Sequence, residues 1–151
     1  MTQRKLVMPT SGDSRRMHTT SHFDQLLQAA AAEPEPQRLL FVFASAELPD
    51  DASPVQRQRF AAGGGGNLVP LMCVDKANGE LLGFEQLVAE SQAAGPPWNV
   101  VFAAGLAGRN GQAPSAQQVE QALQKMVERV RSGMIGSLLA LDSSGQALEF
   151  V

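Results

Sequence analysis

Trp98-Asn-Val-Val-Phe-Ala-Ala-Gly-Leu-Ala-Gly-Arg-Asn-Gly-Gln-Ala-Pro-Ser115 is the stretch on which the fold reading turns. Asn99 to Ala104 is an apolar run of strand character. Gly105, Gly108 and Gly111 then open a loop, and Ser115 with Gln118 makes the reciprocal box of a helix start. Strand, open loop and helix start are the parts from which α/β proteins build many ligand sites. Arg109 adds a cation to the loop.

Downstream, Val119, Leu123, Met126, Val127 and Val130 recur at helical spacing and form the clearest stripe in the chain. Arg129 and Arg131 suit its C-terminal end, where the helix dipole favours cations, and Gly133 suits the left-handed cap. Ile135 to Leu141 predicts a fourth strand. Ser143-Ser-Gly145 predicts a turn, and Ala147 to Val151 an antiparallel return.

Upstream, Leu82 to Ala94 reads as a helix that Gly95-Pro-Pro97 stops. Leu68-Val-Pro-Leu-Met-Cys-Val74 predicts a strand, but Pro70 removes a ladder donor. That strand must be an edge or bulged. Ser53-Pro54 with Gln56 starts a short helix that runs to about Ala62, followed by the connection Gly63–Gly66. Leu39 to Ala44 is apolar without alternation, as in a strand covered on both faces. Ser21-His-Phe-Asp24 caps a first helix, ended by Glu33-Pro-Glu-Pro36. Residues 1–20 are polar and unpatterned and read as a flexible N-terminal tail; residues 21–151 read as one α/β domain.

The order α-β-α-β-α-β-α-β-β predicts an α/β fold. The expected architecture is a mainly parallel sheet of four to five strands flanked by helices, with a C-terminal antiparallel hairpin. In such a sheet, ligands bind beyond the carboxyl ends of the strands. That rule would place four groups on one rim: Ser45, Glu47, Asp50 and Asp51; Asp75 and Lys76; the glycine loop; and Asp142 to Ser144.

The candidate anion loop comprises Gly105, Gly108, Arg109, Asn110, Gly111 and Ser115. Its spacing is neither the dinucleotide fingerprint nor a P-loop, and no cofactor is implied. Backbone N–H groups and Arg109 could hold a small anion. Equally, the glycines and Asn110-Gly111 could supply the positive φ of a surface turn. Asp75 and Asp142 are weak metal candidates, without a ligand-spacing signature to strengthen them. His18 and His22 are the only histidines, there is no tyrosine, and no Gly-x-Ser-x-Gly elbow occurs. Cys73, the single cysteine, reads as a small buried hydrophobe. Trp98 reads as packing over the end of the sheet, or else lining a pocket or subunit interface.

A net charge of −3 with scattered Lys and Arg gives no footprint for nucleic acid. No apolar stretch reaches a bilayer span, and the N-terminus lacks the apolar region of a secretory signal; a cytoplasmic protein is expected.

Phe23-Asp-Gln-Leu-Leu27, Leu40-Phe-Val-Phe43 with Glu47-Leu-Pro49, Pro70-Leu-Met-Cys-Val-Asp-Lys76, and Pro96-Pro-Trp98 through Val101-Phe102 to Gly105 together resemble a small proteobacterial family without an assigned activity. Its members are often labelled ribonucleotide reductase alpha subunit-like, and the likeness covers residues 21–142. That label implies radical and disulfide chemistry using several cysteines, which one cysteine cannot supply. The resemblance therefore implies no mechanism.

Two functional expectations follow. The first is a non-catalytic binding or interaction protein, a homodimer, with a small anionic ligand at the loop rim. Strand two around Pro70, the Trp98 region and the C-terminal strand are its candidate contact surfaces. The alternative is a small enzyme acting on a phosphorylated or carboxylated metabolite. It would need Asp75, Asp142 and Arg109 in one cleft.

Overall fold

A computed structural model describes residues 21–48, 50–61 and 67–148. The elements in order are α1 (His22–Ala32), β1 (Gln37–Glu47), α2 (Pro54–Ala61), β2 (Asn67–Ala77), α3 (Phe84–Ala94), β3 (Val100–Ala107), α4 (Ala116–Ser132) and β4 (Leu139–Leu141). The expected N-terminal tail, the Gly63–Gly66 connection and residues 149–151 lie outside the described residues.

The sheet has the strand order β2-β1-β3-β4. Every neighbouring pair is antiparallel. This corrects the mainly parallel sheet expected from the alternation of helices and strands. The reason lies in the connections. A right-handed crossover needs a helix with an apolar face to lie across the sheet. The described side chains of α2, residues 54–58, are all exposed, with Val55 63% exposed, and do not lie across the sheet. The β1–β2 link is therefore an excursion within an antiparallel pair. α4 does cover the sheet, yet β3 and β4 still pair antiparallel, so a covering helix does not by itself make a crossover. Only β2-α3-β3 is a crossover, and it straddles β1, so β2 and β3 share a direction without touching.

The unbroken apolar run in β1 does report burial on both faces. Leu39, Phe41 and Phe43 pack with Phe23, Leu87, Trp98 and Val101, on the face covered by α1 and α3. Leu40, Val42 and Ala44 pack with Phe102, Val119, Met126 and Val130, on the face covered by α4. Each fully buried large side chain contributes roughly 1.5–3 kcal/mol of transfer free energy.

Local signals placed the helix starts. Ser21 Oγ accepts the Asp24 N–H at 3.0 Å. Ser53 and Gln56 form a box, as do Ser115 and Gln118. Gly133 caps α4 in the left-handed region, at φ 80°. β2 is an edge strand, and its register with β1 shifts between Phe43 and Ala44, beside Pro70. Leu71 is the extra residue. β4 is shorter than expected: Ile135 is a buried core residue ahead of it. Beyond β4 the chain returns, with Leu141 bridging Ala147.

Candidate functional site

β3 runs to Ala107, so Gly105 is a strand residue opposite Leu39 and not part of a loop. The open segment is shorter than the sequence suggested. Arg109 N–H donates to the Gln112 carbonyl at 2.8 Å, and Gln112 N–H returns to the Arg109 carbonyl at 3.0 Å. Between them, Asn110 and Gly111 both have positive φ, 56° and 77°. This is a tight two-residue turn whose handedness Asn-Gly favours. A side chain at Gly108 would overlap the Gln112 carbonyl, which is why glycine stands there.

Several of the backbone donors an anion would need are already engaged. The Gly111 N–H donates to Glu35 Oε1 at 2.7 Å. A carboxylate of the chain thus occupies the loop and repels a second anion. At the helix start, Ser115 Oγ accepts the Gln118 N–H at 3.1 Å, and Gln118 Oε1 accepts the Ser115 N–H at 2.8 Å. Arg109 is exposed and has no ion pair among the described residues.

The antiparallel sheet also divides the expected rim. Leu141 pairs with Val101 at the start of β3, whereas Arg109 follows its end. The 8 residues of β3 put roughly 25 Å between Asp142 and Arg109 at about 3.3 Å per residue. Asp75 sits opposite Leu40, two strands from β3. The three groups therefore share no cleft. Each acid has a local partner instead. Asp75 Oδ2 binds Arg38 Nε at 2.7 Å. Asp142 Oδ1 accepts from Ser144 N–H, Ser144 Oγ–H and Gln146 N–H at 2.9, 2.6 and 3.0 Å, which shapes the turn. Among the described residues, no group of three His, Cys, Asp or Glu side chains could hold a metal ion.

Trp98 is buried. It meets Phe43 edge-on at 5.0 Å and donates its indole N–H to Ser91 Oγ at 2.8 Å. It is a packing residue over the sheet end, not a contact surface. Cys73 is the opposite case: its apolar neighbours predict burial, and it is exposed on edge strand β2. Partial desolvation beside α4 pushes its thiol above the usual value.

Two concave surfaces were not legible in the sequence. One, of about 650 Å³, lies where the starts of α1 and α3 meet the Ser144-Gly145 turn. Asp24 and Glu85 line it beside Leu82, which is 91% exposed. The other, of about 900 Å³, is an open groove between α4 and β2, where Leu123 and Val127 meet Cys73. Glu120, Lys125 and Glu128 also line it.

Among the described residues, the groove borders an unpaired strand edge. None of the 11 residues of β2 is buried. Its outward backbone groups follow from alternation in an antiparallel ladder. The Gln37 carbonyl accepts from Asn78 on the β2 side; the Pro36 and Ala44 carbonyls accept from Gly108 and Asn99 on the β3 side. Odd-numbered β1 residues therefore bond toward β2. Their partners Met72, Val74 and Lys76 face inward, so Cys73 and Asp75 direct N–H and C=O outward. Pro70, opposite Ala44, also faces outward and has no N–H. The Ala77 N–H is taken by Glu80 Oε1.

No family model, curated protein or solved structure matches this chain. No described helix is long and apolar enough to cross a membrane.

Proposed function

We propose that this is a non-catalytic interaction protein that docks a partner strand along the outer edge of β2, beside the α4 groove. The observation that carries this reading is that β2 is, among the described residues, an edge strand with no buried residue, on which ladder alternation turns the backbone of Cys73 and Asp75 outward. An exposed edge offers unpaired N–H and C=O groups to another chain. Strand addition then gains affinity from main-chain bonds and specificity from adjacent pockets. Leu123 and Val127 supply the adjoining apolar surface. The separation of Asp75, Asp142 and Arg109 leaves the metabolite-enzyme alternative without its assembled site.

The sole cysteine makes a direct test. A photoreactive maleimide on Cys73 should cross-link a protein chain, whether another copy or a different protein. The same probe at Ser144→Cys, in a Cys73→Ser background, should not. Equal labelling from both positions, or none from Cys73, overturns the reading.

A further inference from the structure

We infer that the strand docked on β2 is β2 of a second copy, antiparallel, with Val74 on the two-fold axis. This inference rests on the reading of the β2 edge as a docking surface. The open groups are symmetric. Outward N–H and C=O belong to Cys73 and Asp75, one on either side of Val74. Antiparallel pairing about Val74 sets Cys73 opposite Asp75 of the second copy, and Asp75 opposite its Cys73. All four N–H groups and all four C=O groups of the two segments then meet in two hydrogen-bonded pairs.

The ends of the segment fit the same register. Pro70 falls opposite the Asn78-Gly79 turn of the second copy, where β2 has already ended. Its missing donor therefore costs no bond. At the other end, Glu80 occupies the Ala77 N–H, which keeps the open stretch short. A long foreign strand would meet both of these stops. In the β2 pair, Ala77 falls opposite Leu71 of the second copy, at the bulge, so the ladder ends there as well.

Charge points the same way. Edge strands are commonly defended by charged side chains that repel another strand. Here both such charges are neutralised within the chain: Asp75 by Arg38 at 2.7 Å, and Lys76 by Glu90 at 2.7 Å. The register sets Asp75 opposite an uncharged Cys73 and Lys76 opposite an uncharged Met72. No like charges face each other. The paired sheets form one continuous eight-stranded sheet, with the two α4 grooves on the same face.

The register is testable with the full chain. Sedimentation equilibrium of the purified protein should give twice the 16.0 kDa chain mass, dissociating on dilution. Val74→Cys in a Cys73→Ser background should oxidise to a reducible dimer. The facing Cα atoms of a non-hydrogen-bonded pair, about 4.5 Å apart, lie within disulfide reach. The unaltered chain should not form a Cys73 disulfide. Its two Cys73 residues are diagonal neighbours about 7–8 Å apart, bridged by a short bis-maleimide but not by one S–S bond. Asp75→Pro removes an outward donor outside the β1 ladder. It should raise the dissociation constant roughly twentyfold, since two bonds are lost per dimer. A circular dichroism melt of each variant identifies loss of fold.

A chain that stays monomeric at all concentrations overturns the inference. So does a dimer that Val74→Cys does not lock, or a Cys73–Cys73 disulfide in the unaltered chain. If the purified chain is monomeric while the Cys73 photoprobe joins a different protein, the second copy is excluded and the docking edge stands. If neither occurs, both fail.

Discussion

Glu35 Oε1 accepts the N–H of Gly111 at 2.7 Å across 76 residues of sequence. It ties the Asn110-Gly111 turn to the segment that leads into β1. Glu35→Ala should loosen the turn, with a stability loss of about 0.5–1.5 kcal/mol in urea unfolding. Faster exchange of the Gly111 amide should accompany it. Inorganic phosphate should leave the melting temperature of the unaltered protein unchanged. A rise that Arg109→Ala abolishes would restore the anion loop.

The indole of Trp98 has one hydrogen-bond partner, Ser91 Oγ, in a buried setting. Ser91→Ala leaves that N–H without an acceptor. The cost should be about 1–3 kcal/mol. Because Trp98 is the only tryptophan, its fluorescence reports the unfolding directly. A midpoint unchanged in urea would show that another acceptor takes over.

Exposure and acidity pull in opposite directions at Cys73. The side chain is accessible, yet desolvation raises its thiol above the ordinary range and depletes the thiolate. The thiolate is the reactive form. Cys73 should react with a disulfide reagent without denaturant, but more slowly at pH 8 than a small free thiol. The rate should keep climbing with pH beyond the point where the free thiol levels off. A rate equal to that of the free thiol at pH 8 would contradict the shift.

Glu90 is held below the usual carboxylate range, first by its hydrogen bond with Lys76 and then by that from Gln86. A depressed folded-state value stabilises the fold above the unfolded-state value, and this is lost as pH falls through the folded-state value. The stability gap between the unaltered chain and Glu90→Gln should therefore be full at pH 7 and close as the pH drops through the acid range. Urea titrations at pH 7 and at successively lower pH measure it. A gap that widens on acidification would reverse the sign.

Gly108 tests the turn from its other side. Gly108→Ala places a methyl group against the Gln112 carbonyl, so backbone must shift. A loss of about 1–3 kcal/mol is expected, comparable to other strained backbone positions. An alanine variant with unchanged urea midpoint would mean that the turn opens at little cost.

Much of the local structure was legible in the residues themselves. Ser21, Ser53 and Ser115 mark helix starts because a hydroxyl three residues ahead of an orphan N–H is a local event. The run Leu39–Ala44 shows a strand covered on both faces, and Pro70 shows an edge or bulge, because both depend on what each residue can bury or donate. The glycine loop was legible as a turn through Asn110-Gly111, but its ligand-site reading depended on where the strand ended and on Glu35, 76 residues away.

Strand direction was decided only in three dimensions. Apolar runs look alike whichever way they point. Direction depends on the whole connection and not on its helix alone: α4 covers the sheet, yet β3 and β4 pair antiparallel. The antiparallel pairing of β3 with β4 puts Asp142 at the end of the sheet opposite Asp75 and Arg109. The strand order also leaves β2 at an edge, with Cys73 exposed instead of buried. The sequence by itself determined where most helices, strands and turns lie, though not the ends of β3 and β4, since caps, periodicity and proline act within a few residues. The tertiary structure alone decided which side chains meet and which backbone stays open, because burial and pairing are shared among segments far apart in the chain.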